Sequence, residues 1–328
     1  MMTRGDCVTR DARDPLALFR ARFALPEGVI YLDGNSLGAL PKAAVERATS
    51  VLNEEWGTGL IRSWNEAGWM ELPFKAGDKI AQLVGATAGE VVACDSTSVN
   101  LFKLLAAAFA LRPERRVLLT DSDNFPTDNY VAEGISDFLG DRVERRLVPA
   151  GAIIDAIDDD TAVVSLTHVN YRTGRIHDMV AINAAAAAHG ALTLWDLSHS
   201  AGAVPLDLKG AGADLAVGCG YKYLNGGPGA PAFIFVAKRH QAAICQPLSG
   251  WMGHAAPFEF ANQFRPAPGI ARMQSGTPPV IALAILDSSL DILAEAGMVA
   301  LRAKSVALGE LFIARIGATC SGHGLKLL

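Results

Sequence analysis

The 328-residue sequence lacks the features that would place it in a membrane or outside the cell. Its longest apolar runs, 104–111 and 280–286, are far shorter than the roughly 20 residues that a spanning helix needs. The first residues, MMTRGDCVTRDARDP, carry charges of both signs and have no apolar segment of the kind found in a secretory signal. We therefore expect a cytoplasmic protein that does not contact a membrane.

Cysteine and basic clusters are also scarce. The five cysteines are widely spaced, form no CxxC pair and have no spacing typical of a metal site: Cys7, Cys94, Cys219, Cys245 and Cys320. This pattern predicts free thiols and no bound metal. The net charge is −5, and the short group Arg112, Arg115 and Arg116 is too small for a nucleic-acid surface. The composition thus favours chemistry on a small molecule.

What the sequence does contain predicts an α/β fold. Half of the residues are hydrophobic and 19% are charged, as in ordinary globular proteins. Short apolar runs alternate with alanine-rich segments of helical character, which predicts a mainly parallel sheet flanked by helices. The predicted strands are 91–93, 116–120, 162–167, 191–195, 215–217 and 231–236. The predicted helices are 97–110, 128–138, 151–157, 179–189 and 281–296.

Changes in composition divide the chain into three parts. Residues 1–40 are expected to form an irregular N-terminal arm that ends in the turn-rich DGNSLGALP. Residues 41–265 form the large domain. The Pro/Gly-rich RPAPGIARMQSGTPP begins a smaller C-terminal domain, 266–328, which we expect to be incomplete because no closing element follows it.

Two residues at predicted strand ends suggest a binding crevice. Asp196 ends the apolar run of TLWDLSHSAG, and Lys222 follows another run in GCGYKYLNGGPGAP, 26 residues later. Ligands of open α/β sheets bind outside the carboxyl ends of the strands. A strand-end aspartate is often only a helix cap, and a single lysine is often only a surface charge. Together, however, they are the pair that pyridoxal phosphate (PLP) requires: an amine for its aldehyde and a carboxylate for its ring nitrogen.

A third element would bind the cofactor's phosphate. In ACDSTSVNLFKLL, Thr97 and Ser98 stand where a strand passes into a helix. Hydroxyls and free N–H groups at a helix N-terminus form an anion site, although the same pattern also occurs in an ordinary cap.

These motifs resemble the kynureninases, a family of fold type I PLP enzymes. The resemblance extends over 31–279 and rests on YLDGNSLG, DSTSVN, DNFPTDNY, THVNYRTG, WDLSHSAG, GCGYKYLNGGPGAP, LSGWMGH and SGTPP. It implies a mainly parallel seven-stranded sheet flanked by helices, with a smaller C-terminal α+β domain. It also implies hydrolysis of L-kynurenine to anthranilate and L-alanine in tryptophan catabolism, within a homodimer.

The resemblance assigns residues to roles. It implies that Lys222, Tyr221 and Asp196 are catalytic, with Lys222 bound to PLP and acting as the base and Tyr221 as a proton donor. The implied cofactor contacts are Thr97, Ser98, Phe125, Asp128, Thr167, Asp196, His199, Tyr221, Lys222, Trp251 and Thr277. Trp251 and Thr277 match positions that reach the phosphate from the neighbouring subunit. His168 and His177 match no role and are interpreted as structural.

The implied substrate contacts are Trp64, Gly276 and Thr277. Family members that prefer 3-hydroxykynurenine carry His and Asn in place of Trp64 and Thr277, so we expect a preference for unsubstituted kynurenine. The family's carboxylate-binding arginine has no match here, since only Arg302 and Arg315 follow residue 280.

Two other readings remain open at this stage. A cysteine desulfurase or an aminotransferase would share D-x-x-H and the later lysine, with Cys245 as the candidate desulfurase thiol. A non-catalytic PLP-binding protein would bind the cofactor without turnover.

Overall fold

A computed structural model of the chain describes residues 2–325, so Met1 of the predicted arm and the last three residues of the predicted C-terminal domain lie outside it. The helices are α1 (Arg4–Asp11), α2 (Lys42–Ser50), α3 (Ser63–Glu66), α4 (Leu72–Val84), α5 (Thr97–Leu111), α6 (Pro126–Leu139), α7 (Met179–Ala188), α8 (Val280–Ala296) and α9 (Met298–Thr319). The strands are β1 (Val91–Ala93), β2 (Val117–Asp121), β3 (Glu144–Val148), β4 (Thr161–Thr167), β5 (Leu192–Asp196), β6 (Leu215–Gly218) and β7 (Phe233–Val236).

The strands form one seven-stranded sheet in the order β1-β7-β6-β5-β4-β2-β3. The central strands are parallel, and β7 alone runs antiparallel to both of its neighbours. The register pairs Thr167 with Asp196 and Asp196 with Val217. The carboxyl ends of β4, β5 and β6 therefore meet at one edge of the sheet, as predicted for an α/β fold.

Helices cover both faces of this sheet. Helices α4, α7 and α8 contribute to the buried cluster on one face, and α5 and α6 to the cluster on the other. Adjacent strand residues alternate between the clusters: Val91 belongs to the first and Val92 to the second. Because both faces are buried, the strands are nearly continuous runs of apolar residues, which is why they could be recognised in the sequence.

Local signals set the helix boundaries near the site. The Ser96 hydroxyl caps α5 by accepting a hydrogen bond from the N–H of Val99 at 3.4 Å. Pro126 begins α6, at the position where a missing N–H costs nothing. Gly85 ends α4 in the left-handed conformation, with a φ of 66°.

Two local predictions are wrong. Residues 151–157 do not form a helix but two 3₁₀ turns, Ala150–Ala152 and Ile154–Ala156. Glycine and β-branched isoleucines favour a helix poorly, and the buried Ile153 and Ile157 anchor the segment to the core instead. The N-terminal arm is not wholly irregular either, because Thr3 and Asp6 form a capping box that begins α1.

Strand β3 was not predicted. It lies at the edge of the sheet, pairs only with β2 and has the polar sequence ERRLV. Edge strands often carry such charges, which prevent pairing with other chains. An apolar pattern therefore could not reveal it.

The segment after residue 266 contains two long helices. Helix α8 packs against α2 and α4, and Leu283, Leu286 and Leu290 lie in the same buried cluster as the sheet. Helix α9 has no buried residue and exposes Val299 and Phe312. The domain boundary at 266 remains a prediction. No helix within residues 2–325 combines the length and apolarity needed to cross a bilayer.

Candidate active site

The carboxyl edge of the sheet contains a small polar cavity of about 100 Å³. Residues from the ends of β5 and β6 and from the first turns of α5 and α6 surround it. Its lining comprises Thr97, Ser98, Phe125, Thr127, Asp128, Asp196, Ser198, His199, Tyr221 and Lys222. The structure thus brings together eight of the residues predicted from widely separated motifs.

Lys222 reaches into this cavity from the loop after β6. It is 8% exposed, and its Nζ lies 2.8 Å from Nε2 of His199 and 5.6 Å from the centre of the Phe125 ring. Gly220 allows the loop to pass close to the neighbouring chain, because a Cβ there would lie 2.3 Å from the carbonyl oxygen of Pro231. A lysine amine in such a dry, aromatic setting is suited to covalent chemistry.

Two buried carboxyl groups lie beside one another in the cavity. Asp196 ends β5, and Asp128 lies in the first turn of α6; both are at most 4% exposed. Burial raises the pKa of each, and the negative charge of Asp196 raises the pKa of Asp128 further. Asp196 also accepts a hydrogen bond from the N–H of Ser198 at 2.7 Å, which favours its ionised form. Asp128 therefore holds the proton of the pair, and Asp196 is the better partner for a cation.

Thr167 and Asn124 position the side chain of Asp128. The Thr167 hydroxyl is 3.3 Å from Oδ2 of Asp128 and also contacts the Asn124 side chain. Asn124 Oδ1 accepts the backbone N–H of Thr167 at 2.8 Å. Thr167 thus contacts Asp128 without lining the cavity itself.

His199 is a neutral ring with an unused donor. Burial and the charge of Lys222 lower its pKa to about 4. If Nε2 accepts from the Lys222 amine, the ring proton is on Nδ1. That atom is buried and has no hydrogen-bond partner among the described residues 2–325. A further polar group bound in the cavity would complete it, since buried donors are normally paired.

The part of the cavity formed by the first turn of α5 can bind an anion. The first turn of α5 presents N–H groups with no intrahelical partner, and Thr97 and Ser98 add hydroxyls. Tyr221 lies on the same cavity, and burial raises its pKa, so its hydroxyl remains a donor at neutral pH. We call Thr97, Ser98 and Tyr221 the anion cup.

These features fit PLP. The anion cup suits a phosphate, Asp196 suits a protonated ring nitrogen, Phe125 suits a planar ring and Lys222 suits an aldehyde. Among the described residues, Nδ1 of His199 has no partner, and burial raises the pKa of both carboxyl groups. These polar groups therefore lack partners that a bound cofactor would supply.

Other predicted residues lie outside the lining of the cavity. Trp251 is 38% exposed and stacks edge-on against Phe258 at 5.9 Å, while Gly276 and Thr277 are exposed. Trp64 is half-buried and packs edge-on against Trp69 at 5.6 Å. These positions do not meet the cavity in the single chain, and their roles remain predictions.

Three residues of the site were not predicted from the sequence. Thr127 and Ser198 line the cavity, and Asn124 orients Thr167. Each lies next to a predicted residue, inside FPTD, DLSH or DNF, so a signal existed in the motifs. It could not be read as a contact because the partners are distant in sequence, as Asn124 and Thr167 are.

Comparisons with known proteins identify the family of this chain. The family model described as aminotransferase class-V matches residues 30–321. Proteins named kynureninase from Burkholderia pseudomallei (strain 1106a) and Pseudomonas fluorescens are each 54% identical over 333 residues, covering 100% of this chain and 80% of theirs.

Solved structures of low identity share the fold. A C-DES mutant with glycine covalently linked to its PLP cofactor superposes with a TM-score of 0.77 at 18% identity, covering 90% of this chain and 79% of that one. The apo cysteine desulfurase from Thermococcus onnurineus NA1 gives 0.72 at 18% identity, covering 97% and 78%. At such identity the likeness shows the fold alone.

Proposed function

We infer the reaction of this chain from its family: the chain belongs to the aminotransferase class-V family and, within it, to the kynureninases. It is a PLP-dependent hydrolase that cleaves a carbon–carbon bond of L-kynurenine to give anthranilate and L-alanine. The observation that carries this conclusion is the cavity in which the Lys222 amine, the Asp128–Asp196 pair and the anion cup face one another.

PLP, when bound, supplies an electron sink that stabilises negative charge on the substrate's carbon atoms. The chain's part is to hold this group and to move protons. The anion cup would hold the phosphate, Asp196 would hold the ring nitrogen in its protonated form, and Phe125 would contact the ring. Asp128, retaining its own proton, supports Asp196 through a hydrogen bond.

Lys222 acts twice. Its amine would hold the cofactor's aldehyde and, when free, would be the base that removes the proton from the substrate's α-carbon. Neutral His199, 2.8 Å from Nζ, accepts a hydrogen bond from the amine without adding a positive charge beside it.

Tyr221 supplies a proton later in the reaction. Water adds to the γ-carbonyl of the substrate, the Cβ–Cγ bond breaks and anthranilate leaves. The raised pKa of Tyr221 keeps its phenol protonated, and its place in the cavity would let it donate a proton to the β-carbon, which becomes the methyl group of alanine.

Unsubstituted kynurenine is the preferred substrate. Trp64 is held edge-on by the buried Trp69, whose indole N–H donates to Glu55 at 2.6 Å. A tryptophan at this position, unlike a histidine, has no acceptor for the hydroxyl proton of 3-hydroxykynurenine, and a largely apolar pocket rejects an added hydroxyl only weakly. Both substrates are therefore turned over, with kynurenine favoured.

The first experiment measures anthranilate release from L-kynurenine with added PLP. Wild type and Lys209→Ala, which removes an exposed lysine, should both release anthranilate, whereas Lys222→Ala should release none. Borohydride reduction followed by peptide mapping should place the cofactor on Lys222. Turnover that survives Lys222→Ala would refute the assignment of the base, and cysteine desulfuration in place of anthranilate release would refute the reaction.

The active protein is a homodimer with shared sites, and 266–328 begins its smaller domain. Support comes from Trp251 and Thr277, which lie on the surface and outside the cavity of their own chain. Lys222→Ala and Trp251→Ala chains, each inactive alone, should regain about a quarter of wild-type activity when unfolded together and refolded, because half of the dimers gain one intact site. No recovery, with mixed dimers demonstrated by differential tags, would refute sharing.

A further inference from the structure

Lys103 is a lysine without exposed surface in the middle of the apolar helix α5. Its ammonium lies 2.5 Å from Oδ2 of Asp95 and 2.8 Å from the carbonyl oxygen of Met273. Buried lysines are rare unless paired. Neither of these partners takes part in the site as described above, so the pair calls for an explanation of its own.

Asp95 is the residue through which the chain passes from β1 to the anion cup. It adopts a left-handed conformation with a φ of 48°, and its carbonyl oxygen accepts the N–H of Ala232 at 2.9 Å. Thr97 of the anion cup follows two residues later. A non-glycine residue with this conformation is strained unless its surroundings hold it, although aspartate tolerates it better than most.

Helix α5 holds this passage from its buried side. Asn100 donates through its side-chain amide to the carbonyl oxygen of Cys94 at 2.8 Å, and Lys103, one turn later on the same face, binds Asp95. Two polar side chains of an otherwise apolar face therefore reach back to the end of β1, directly before the anion cup.

The second partner of Lys103 belongs to a distant part of the chain. Met273 ends the 3₁₀ helix Gly269–Met273 and precedes Gly276 and Thr277. Two residues on, the Ser275 carbonyl oxygen accepts the N–H of Met252, which is adjacent to Trp251. One ammonium group thus joins the end of β1, directly before the anion cup, to the segment that carries Thr277, and that segment is in turn hydrogen-bonded to the residue beside Trp251.

Stability alone does not explain this arrangement. Removing an ammonium from water is costly, and apolar residues of similar volume often replace buried ion pairs without loss of stability. A buried charge does, however, fix the positions of its partners, because an ammonium that moves away from them is left unpaired.

We propose that Lys103 is a positioning residue for the cofactor's phosphate: it neutralises Asp95, holds the left-handed turn before the anion cup and joins that cup to residues 273–277. Lys103 does not touch the cofactor and acts through Asp95 and the first turn of α5. The inference rests on the assignment of the cavity as the PLP site.

The test compares three variants for PLP binding in the absence of substrate. Lys103→Met keeps an unbranched side chain that lacks only the terminal ammonium, and it leaves the Asp95 carboxylate without this partner. The double variant Lys103→Met with Asp95→Asn removes that charge while keeping a residue that tolerates the left-handed turn. Leu105→Ala, buried on the same helix at 1% exposure, is the matched control for a loss of stability without a change at Asp95.

Dissociation constants and release rates of PLP are measured at a temperature where every variant is folded by circular dichroism, and phosphorus NMR reports the environment of the bound phosphate. Lys103→Met should weaken PLP binding about tenfold, because the turn before the anion cup is no longer held in place, and should shift the phosphorus signal. The double variant should recover part of this affinity, and Leu105→Ala should stay within about twofold of wild type.

The inference is overturned if Lys103→Met binds PLP like Leu105→Ala, or if the double variant binds no better than Lys103→Met. Failure of the wild type itself to bind PLP would refute the proposed function instead, so the two failures are distinguishable.

Discussion

The substitution Gly38→Ala tests how the N-terminal loop meets the catalytic lysine. Gly38 closes the motif DGNSLG, and its N–H donates to the carbonyl oxygen of Tyr221 at 2.8 Å. A Cβ at this position would lie 2.3 Å from the carbonyl oxygen of Lys222 and 2.4 Å from Oδ1 of Asn225. Carbon and oxygen atoms that are not bonded need roughly 1 Å more than this, so either the loop or the lysine segment must move.

The expected loss follows from these contacts. Forcing a methyl group into a packed position costs about 1–3 kcal/mol, and losing the hydrogen bond to Tyr221 adds about 1 kcal/mol. Because the Lys222 carbonyl oxygen and the Asn225 Cα belong to the backbone, rotation of the Asn225 side chain does not relieve the clash. We therefore expect a fall of about 2–4 kcal/mol in the free energy of unfolding and a lower affinity for PLP, since Lys222 shifts with its carbonyl group.

The same loop provides the control. A Cβ on Gly34 would meet nothing within 4 Å, and no positive φ forbids alanine there. Urea unfolding and PLP titration should therefore distinguish the two variants. Gly38→Ala should lose stability and PLP affinity, and Gly34→Ala should stay close to wild type in both. If the two variants have equal stability and equal PLP affinity, the loop does not constrain Lys222 and the reasoning is refuted.

Three further predictions address acid stability, catalysis and the core. Burial lowers the pKa of His168 from 6.5 to about 4. As the pH falls, the unfolded chain therefore binds this proton before the folded chain does. The free energy of unfolding should fall by about 3 kcal/mol between pH 6.5 and 4. His168→Asn should flatten this dependence in urea titrations. Tyr221→Phe should lower kcat for kynurenine about 100-fold or more while borohydride still traps PLP on the lysine; full activity would exclude the proton-donor role. Leu283→Ala, at 0% exposure on α8, should cost about 3 kcal/mol, and Leu308→Ala, at 54% on α9, under about 0.5 kcal/mol; equal effects in urea unfolding would contradict the packing of α8 against the core.

Prediction from the sequence worked best where burial imposes a pattern. Strand β1 was predicted with its observed bounds, and β4, β5 and β6 within one residue at each end, because strands buried on both faces must be apolar. It failed at β3, whose edge position permits charges, and at 151–157, where tertiary anchoring of two isoleucines outweighs any helical tendency.

The residues of the site also fall into those that the sequence predicted and those that it did not. The motifs identified Lys222, Asp196 and Thr97, and the alternation of strands and helices indicated that they would meet at one edge of the sheet. The motifs did not indicate that Asn124 contacts Thr167, because this hydrogen bond between residues 43 positions apart depends on the pairing of β2 with β4 in the sheet. Nor did they indicate that Lys103 is buried, since its sequence neighbours would equally suit an exposed lysine.

What the sequence alone determined is the chemistry: which amine, which carboxylates and which hydroxyls are present, and at which ends of which elements. Only the tertiary structure decided how those groups behave. The shared proton of Asp128 and Asp196, the neutral ring of His199 and the ion pair of Lys103 all depend on burial and on distances between segments far apart in the chain. The free energy of a charge is set by the water removed from it and by the charges brought near it, and both are properties of the folded state.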